Sequence, residues 1–261
     1  MDRKLKATQR ILGIMNDLRE KCPWDREQTF LSLRNNTIEE TFELTDAITD
    51  GNMDNIKEEL GDLLLHIIFY SKMAEEQGEF DYADVANDLC EKLIYRHPHV
   101  YGEIHANTPT EVLKNWEALK MRKKNRKGGL MGGVPRSLPA MVKAFRISEK
   151  AASVGFDWKR KEDVLEKVRE EMREVETEIE NKDKSSMEKE IGDLLFSIVN
   201  LARKYSIDPE NALELTNKKF LSRFHHIEQY AEQNGQLVSE MSLEEMEEKW
   251  QEAKKDEIQT K

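Results

Sequence analysis

The chain of 261 residues carries 52 acidic against 41 basic side chains, a formal net charge of −11, with 36% of residues charged and only 7% aromatic. That balance excludes a general nucleic-acid binder, which needs a basic face to displace counterions from phosphates, and it suits a Glu-, Lys- and Leu-rich helical protein better than a β-sandwich. Cys22 and Cys90 make neither a disulfide framework nor a short-spaced metal pair, and no apolar run approaches the ~20 residues of a membrane span, so the expected compartment is the cytoplasm, without membrane association.

In chain order, the N-terminus leads into an amphipathic pattern rather than a signal-peptide core. Leu5, Ile11, Leu12, Met15 and Leu18 form a helical stripe over 5–20 that stops at Cys22-Pro23. After the Pro23-Trp24-Asp25 loop, a long helix is expected from about 27 to 50, ended by Gly51-Asn52. The next runs from Met53 to Gly78, with Leu60, Leu63, Leu64, Ile67, Ile68 and Met73 around most of its circumference, the mark of a core helix. A fourth spans 81–96 and breaks at His97-Pro98-His99. Thr108-Pro109-Thr110-Glu111 has capping-box spacing and opens a helix through Trp116. A basic run over 120–127 then meets two glycine pairs that match neither Rossmann nor P-loop spacing, so 126–136 reads as a Gly-rich basic linker between units 1–125 and 137–261.

The second unit repeats the plan. A helix is expected over 138–152, then a Gly155-Phe156-Asp157-Trp158 loop and an acidic helix over 161–180. Ser185-x-x-Glu188 is expected to cap an apolar helix reaching Tyr205, Asp208-Pro209 to start the next, Asn234-Gly235 to end it, and Ser242-x-x-Glu245 to open the last. No stretch alternates long enough for a strand. The fold class is all-α, a tandem repeat of two four-helix-bundle-like units.

The repeat carries the chemistry. Glu59-Leu60-Gly61-Asp62 returns as Glu190-Ile191-Gly192-Asp193, and Glu39-Glu40-x-x-Glu43 returns as Glu170-Glu171-x-x-Glu174, each pair 131 residues apart. On a helix, residues three apart share a face. If neighbouring helices pack, Glu40, Glu43, Glu59 and Asp62 converge in one unit, and Glu171, Glu174, Glu190 and Asp193 in the other. Four clustered carboxylates repel, and their natural compensator is a hard divalent cation such as Mg²⁺. Gly61 and Gly192, costly inside a helix, suggest that something approaches closely. Downstream, Lys219 and Arg223 lie one turn apart, as do Trp250 and Lys254, with Lys92, Arg96, Trp116 and Lys120 as their first-unit echo. Cation pairs beside an indole suit a polyphosphate with a base to stack. His66 has Ser197 as its counterpart and reads as a core histidine. No Ser or Cys nucleophile with a matched base stands out.

Taken with Cys22-Pro23-Trp24-Asp25, these motifs make the whole chain resemble the MazG family of nucleoside triphosphate pyrophosphohydrolases, within the all-α NTP pyrophosphatase superfamily. The resemblance implies Mg²⁺-dependent hydrolysis of NTPs and dNTPs at the α–β bond, giving monophosphate and pyrophosphate, in a homodimer. By position it places catalytic metal ligands on Glu171, Glu174, Glu190 and Asp193. Nucleotide contacts fall on Lys167, Val168, Arg169, Glu170 and Glu171, on Lys189 and Glu190, on Lys219 and Arg223, and on Trp250 with Lys254. Glu170 or Glu171 is a candidate to take a proton from the attacking water. The alternatives are a di-metal oxidoreductase bundle, disfavoured because the clusters lack Glu-x-x-His pairs, and a non-catalytic nucleotide-binding regulatory scaffold.

Overall fold

The computed structural model describes residues 2–102, 108, 111–112, 119 and 129–259, with side chains to Asp256. The chain divides into two compact units, 1–124 and 125–261. The described residues form α-helices and two short 3-10 turns and contain no strand.

In the first unit, α1 (Arg3–Lys21) and the short α2 (Pro23–Glu27) precede the hairpin of α3 (Arg34–Asp50) and α4 (Met53–Glu76), followed by α5 (Tyr82–Arg96) and α6 (Pro98–Tyr101). Gly51 turns the hairpin at φ 68°, and the Asn52 side chain accepts from the Asp54 and Asn55 N–H groups at 3.1 and 3.2 Å. Asp81 and Asp84 cap α5 reciprocally. Met15 of α1 meets Leu33, Ile68, Phe69 and Met73 in the core.

Three expectations change here, the first being that the Pro23-Trp24-Asp25 stretch expected as a loop is the short helix α2, with Pro23 in its first turn. The single helix expected over 27–50 is split, because Thr29 and Ser32 each accept the other's backbone N–H, at 3.1 and 2.9 Å, and hold 28–33 as a turn. And α4 is core only along part of its circumference: Ile68, Phe69 and Met73 are buried, whereas Leu60, Leu64 and Ile67 stay 52%, 42% and 48% exposed.

The second unit opens with a 3-10 turn (Leu130–Gly133) on α7 (Ala140–Ser153), followed by the hairpin of α8 (Lys161–Asn181) and α9 (Lys184–Lys204), then α10 (Pro209–Gln233), a 3-10 turn (Val238–Glu240) and α11 (Leu243–Gln259). Asp183, not Ser185, caps α9, accepting from the Ser185 and Ser186 N–H groups at 3.0 and 3.2 Å. Asp183 occupies the N-cap position, whereas Ser185 already lies in the first turn and supplies one of the donors. Asp208 with Pro209 starts α10, and Ser242 and Glu245 form a reciprocal cap on α11. Ile227, Ala231 and Met241 make the α10–α11 core. Upstream, the Glu111 N–H donates to Thr108 Oγ1 at 3.3 Å; Trp116, Lys120 and the basic run lie outside the described residues.

Candidate functional site

Each hairpin brings two acidic stretches face to face. In the first unit, α3 supplies Glu40 and Glu43 and α4 supplies Glu59; one carboxylate oxygen from each lies within 4.8 Å of the others. In the second, α8 supplies Glu171 and Glu174, α9 supplies Glu190, and the same limit holds. Three of the four carboxylates expected in each unit therefore converge. Asp62 and Asp193 fall outside the two triplets, although the Asp62 charge is felt at both Glu40 and Glu59. A Cβ built on Gly61 or Gly192 meets nothing within 4 Å, so no atom of the described chain makes the close approach that those glycines suggested.

The clusters push their own protons up. Burial, then the charges of Asp62, Glu43 and Glu39, raise the Glu40 pKa; burial, then Glu43, Glu40, Asp62 and Glu58, raise that of Glu59. Glu174 is raised by burial, by a hydrogen bond to Glu171 and by the Glu171 charge. Carboxylates that destabilise one another's charge at such separations are relieved by a divalent cation with oxygen ligands, and this all-carboxylate donor set fits Mg²⁺.

The second cluster holds a cation of its own. Lys167 Nζ lies 2.7 Å from Glu170 Oε1 and 2.6 Å from Glu171 Oε1. The hydrogen bonds to Glu170 and Glu171 raise Lys167 well above the ordinary lysine range, and Lys167 in turn holds the Glu170 carboxyl below the usual carboxylate range. Glu171 itself is buried, only 5% exposed. Of the neighbours, Val168 is half-buried, Arg169 is tied to Glu166 at 2.5 Å, and Lys189 is exposed.

The other expected ligand-binding residues are partly assembled. The Arg223 guanidinium lies 5.4 Å from the Trp250 ring centre, and the Phe220 ring packs on the same indole at 5.0 Å. Lys219 and Lys254 are exposed. On α5, Lys92 is exposed and Arg96 half-buried, while their expected partners Trp116 and Lys120 are outside the described residues. His66 is buried, with no hydrogen-bond partner at Nδ1; its counterpart Ser197 donates to the Leu194 carbonyl at 2.8 Å.

Sequence reasoning missed two anchors at the far ends of the core helices. Arg19 ties Glu76 to the backbone of the α2 turn, and Arg203 with Lys204 holds Asp157. Partners 57 and 46 residues apart leave no periodic signal.

The profile of the MazG nucleotide pyrophosphohydrolase domain matches the chain twice, at residues 28–101 and 159–228. The first match contains Glu40, Glu43 and Glu59, and the second contains Glu171, Glu174, Glu190, Lys219 and Arg223. The nucleoside triphosphate pyrophosphohydrolase of Escherichia coli (strain K12) is 42% identical over 261 residues, spanning 97% of this chain and 99% of that protein. The nucleoside triphosphate pyrophosphohydrolase/pyrophosphatase MazG of Thermotoga maritima is 44% identical over 249 residues, covering 94% and 95%. A nucleoside triphosphate pyrophosphohydrolase of Mycobacterium tuberculosis is 38% identical over 147 residues, 56% of this chain and 45% of that protein.

Proposed function

The chain belongs to the MazG nucleotide pyrophosphohydrolase family, and we propose that it cleaves nucleoside and deoxynucleoside triphosphates between the α and β phosphates, with Mg²⁺, to monophosphate and pyrophosphate. The observation that carries this reading is the convergence of Glu171, Glu174 and Glu190 beside Lys167, a carboxylate set for metal next to a cation for phosphate.

Glu171, Glu174 and Glu190 would hold the cation, with Asp193 one turn beyond Glu190. When bound, Mg²⁺ supplies charge neutralisation of the triphosphate and a lowered pKa for a bound water. The chain's own residues do the rest. Lys219 and Arg223 bind the phosphates, and Trp250 borders the nucleoside. Lys167, paired with Glu170 and Glu171 before the nucleotide arrives, offers its ammonium to the phosphates. Glu170 or Glu171, both within hydrogen-bond distance of Lys167, is the candidate to draw the proton from the attacking water. As the new oxygen–phosphorus bond forms, the α–β bridging bond breaks and pyrophosphate carries away its electrons.

The same reading takes the chain, with units 1–125 and 137–261 joined by 126–136, to pair with a second copy of itself as a homodimer in the cytoplasm. Matching positions support the dimer: Leu60, Leu64 and Ile67 on α4 and Ile191, Leu195 and Ile198 on α9 are all 42–52% exposed, an apolar surface that association would cover. No described helix is long and apolar enough to cross a membrane. Glu171→Gln and Asp193→Asn, assayed with ATP and Mg²⁺, test the assignment: undiminished release of pyrophosphate by both would end it.

A further inference from the structure

The two acid clusters have the same backbone plan and different surroundings. Aligned at their spacing of 131 residues, the stretches 36–43 with 57–62 and 167–174 with 188–193 contain six acids each. The first set includes one cation, Lys57, which pairs with Asp54 and is 80% exposed. The second includes four: Lys167, Arg169, Arg173 and Lys189. At the position of Lys167 the first unit has Asn36, and at the position of Lys189 it has Glu58. Among the described residues, none of Glu40, Glu43 and Glu59 pairs with a cation, whereas Lys167 sits 2.6 Å from Glu171.

We propose that the clusters divide the labour: the first binds a free divalent cation the more tightly, and the second, with Lys167 seated on Glu171, takes the cation together with a polyphosphate. This rests on the reading that both clusters hold metal. A divalent ion entering the first cluster meets only carboxylates. One entering the second must compete with an ammonium already bound to a ligand oxygen, and two cations at such separation repel strongly outside bulk water. A polyphosphate changes that balance, because it offers Lys167 a new partner in place of Glu171 and brings charge for Arg169, Arg173 and Lys189. Lys167 is thus a resident counter-ion that keeps the second cluster paired until the nucleotide arrives. Asn36, being neutral, keeps nothing out.

The test uses Mn²⁺ as probe on the full-length protein, by calorimetry and by the electron paramagnetic resonance of the free ion. Glu174→Gln isolates the first cluster and Glu43→Gln the second, with circular dichroism confirming that both variants fold. Mn²⁺ is expected to bind the first about tenfold more tightly than the second, equivalent to about 1.4 kcal/mol. Adding Lys167→Asn to the Glu43→Gln protein closes most of that gap, and adding Asn36→Lys to the Glu174→Gln protein weakens its site by a similar factor. The non-hydrolysable α,β-methylene ATP tightens Mn²⁺ at the second cluster and leaves the first unchanged. Equal affinities at both clusters, or no effect of Lys167→Asn, overturn the division while leaving the metal sites standing. Absence of Mn²⁺ binding at the first cluster, or at the second with the analogue present, overturns the metal reading itself.

Discussion

Arg203 grips Asp157 with a two-pronged contact, Nη1 to Oδ2 at 3.2 Å and Nη2 to Oδ1 at 2.5 Å, and Lys204 Nζ reaches the same carboxylate at 2.7 Å. An acid in the loop is thus held by cations at the end of α9. The first unit reverses the polarity: Arg19, near the loop, pairs with Glu76 at the end of α4 at 2.5 Å and donates to the backbone oxygens of Asp25 and Gln28.

Asp157→Asn is expected to destabilise the second unit by about 2 kcal/mol, since it strands two cations that are only 12% and 16% exposed. Urea unfolding followed by circular dichroism reads this. Burial alone would raise the Asp157 pKa, but the hydrogen bonds and charges of Arg203 and Lys204 outweigh it and hold the carboxyl below its ordinary 3.8. Its contribution is present above that ordinary value and lost as pH falls through the lowered one. Wild-type and Asp157→Asn stabilities should therefore converge in acid and separate above about pH 4.

Arg19→Lys keeps the charge and loses the fork that serves Glu76 and two carbonyls together. A cost of about 1–2 kcal/mol to the first unit is expected, with faster proteolytic nicking between 22 and 33. Cutting at the wild-type rate would show that the turn holds without the guanidinium.

These ties mark where sequence legibility ends. Helix boundaries were readable wherever a capping residue and an apolar period agreed, as at Asp208-Pro209 and at Ser242 with Glu245. They were misplaced where two local signals competed: Thr29 with Ser32 won over continued helix, and Asp183 over Ser185. The acidic clusters were legible because the 131-residue repeat exposed a spacing that a single Glu-Glu-x-x-Glu run never would. The position of Asp62 and Asp193 outside the triplets was not, since spacing along a helix fixes a face and not a reach. The apolar circumference of α4 signalled burial, yet it cannot say whether the covering surface belongs to the same chain.

Burial lowers the His66 pKa from 6.5, with the Asp62 charge opposing. A histidine with a depressed folded-state value binds fewer protons folded than unfolded, so the first unit loses stability as pH falls below about 6.5. His66→Leu should flatten that slope between pH 5 and 7. By removing the unpaired Nδ1 it should also add up to about 1 kcal/mol at neutral pH. Urea titrations across pH 5–8 decide both points.

Gly61→Ala and Gly192→Ala place a methyl in open space inside a helix. Each is expected to raise stability by about 0.5–1 kcal/mol through helix propensity. A loss of stability instead would locate a close contact made from outside the described chain.

Chelation with EDTA should reduce pyrophosphate release at least about 100-fold, and added Mg²⁺ should restore it. Glu190→Gln is expected to cost a similar factor. Glu59→Gln, in the cluster without resident cations, should cost less than about threefold under saturating Mg²⁺. Comparable losses from the two substitutions would mean that both units turn over substrate.

The opposed polarity of the two loop ties also bears on how a duplicated chain assembles. A nascent protein with two similar hairpins can trade helices between them, a recurrent failure of repeat proteins. At the repeat spacing, Glu76 corresponds to Ile207, and Arg203 and Lys204 correspond to Lys72 and Met73. If α9 were seated where α4 belongs, Arg19 would have no carboxylate; if α4 stood in for α9, Asp157 would lose its guanidinium and one of its two cations. Each exchange forfeits a tie that the correct pairing makes. Each tie thus fits its own hairpin and not the sibling whose acidic face looks alike.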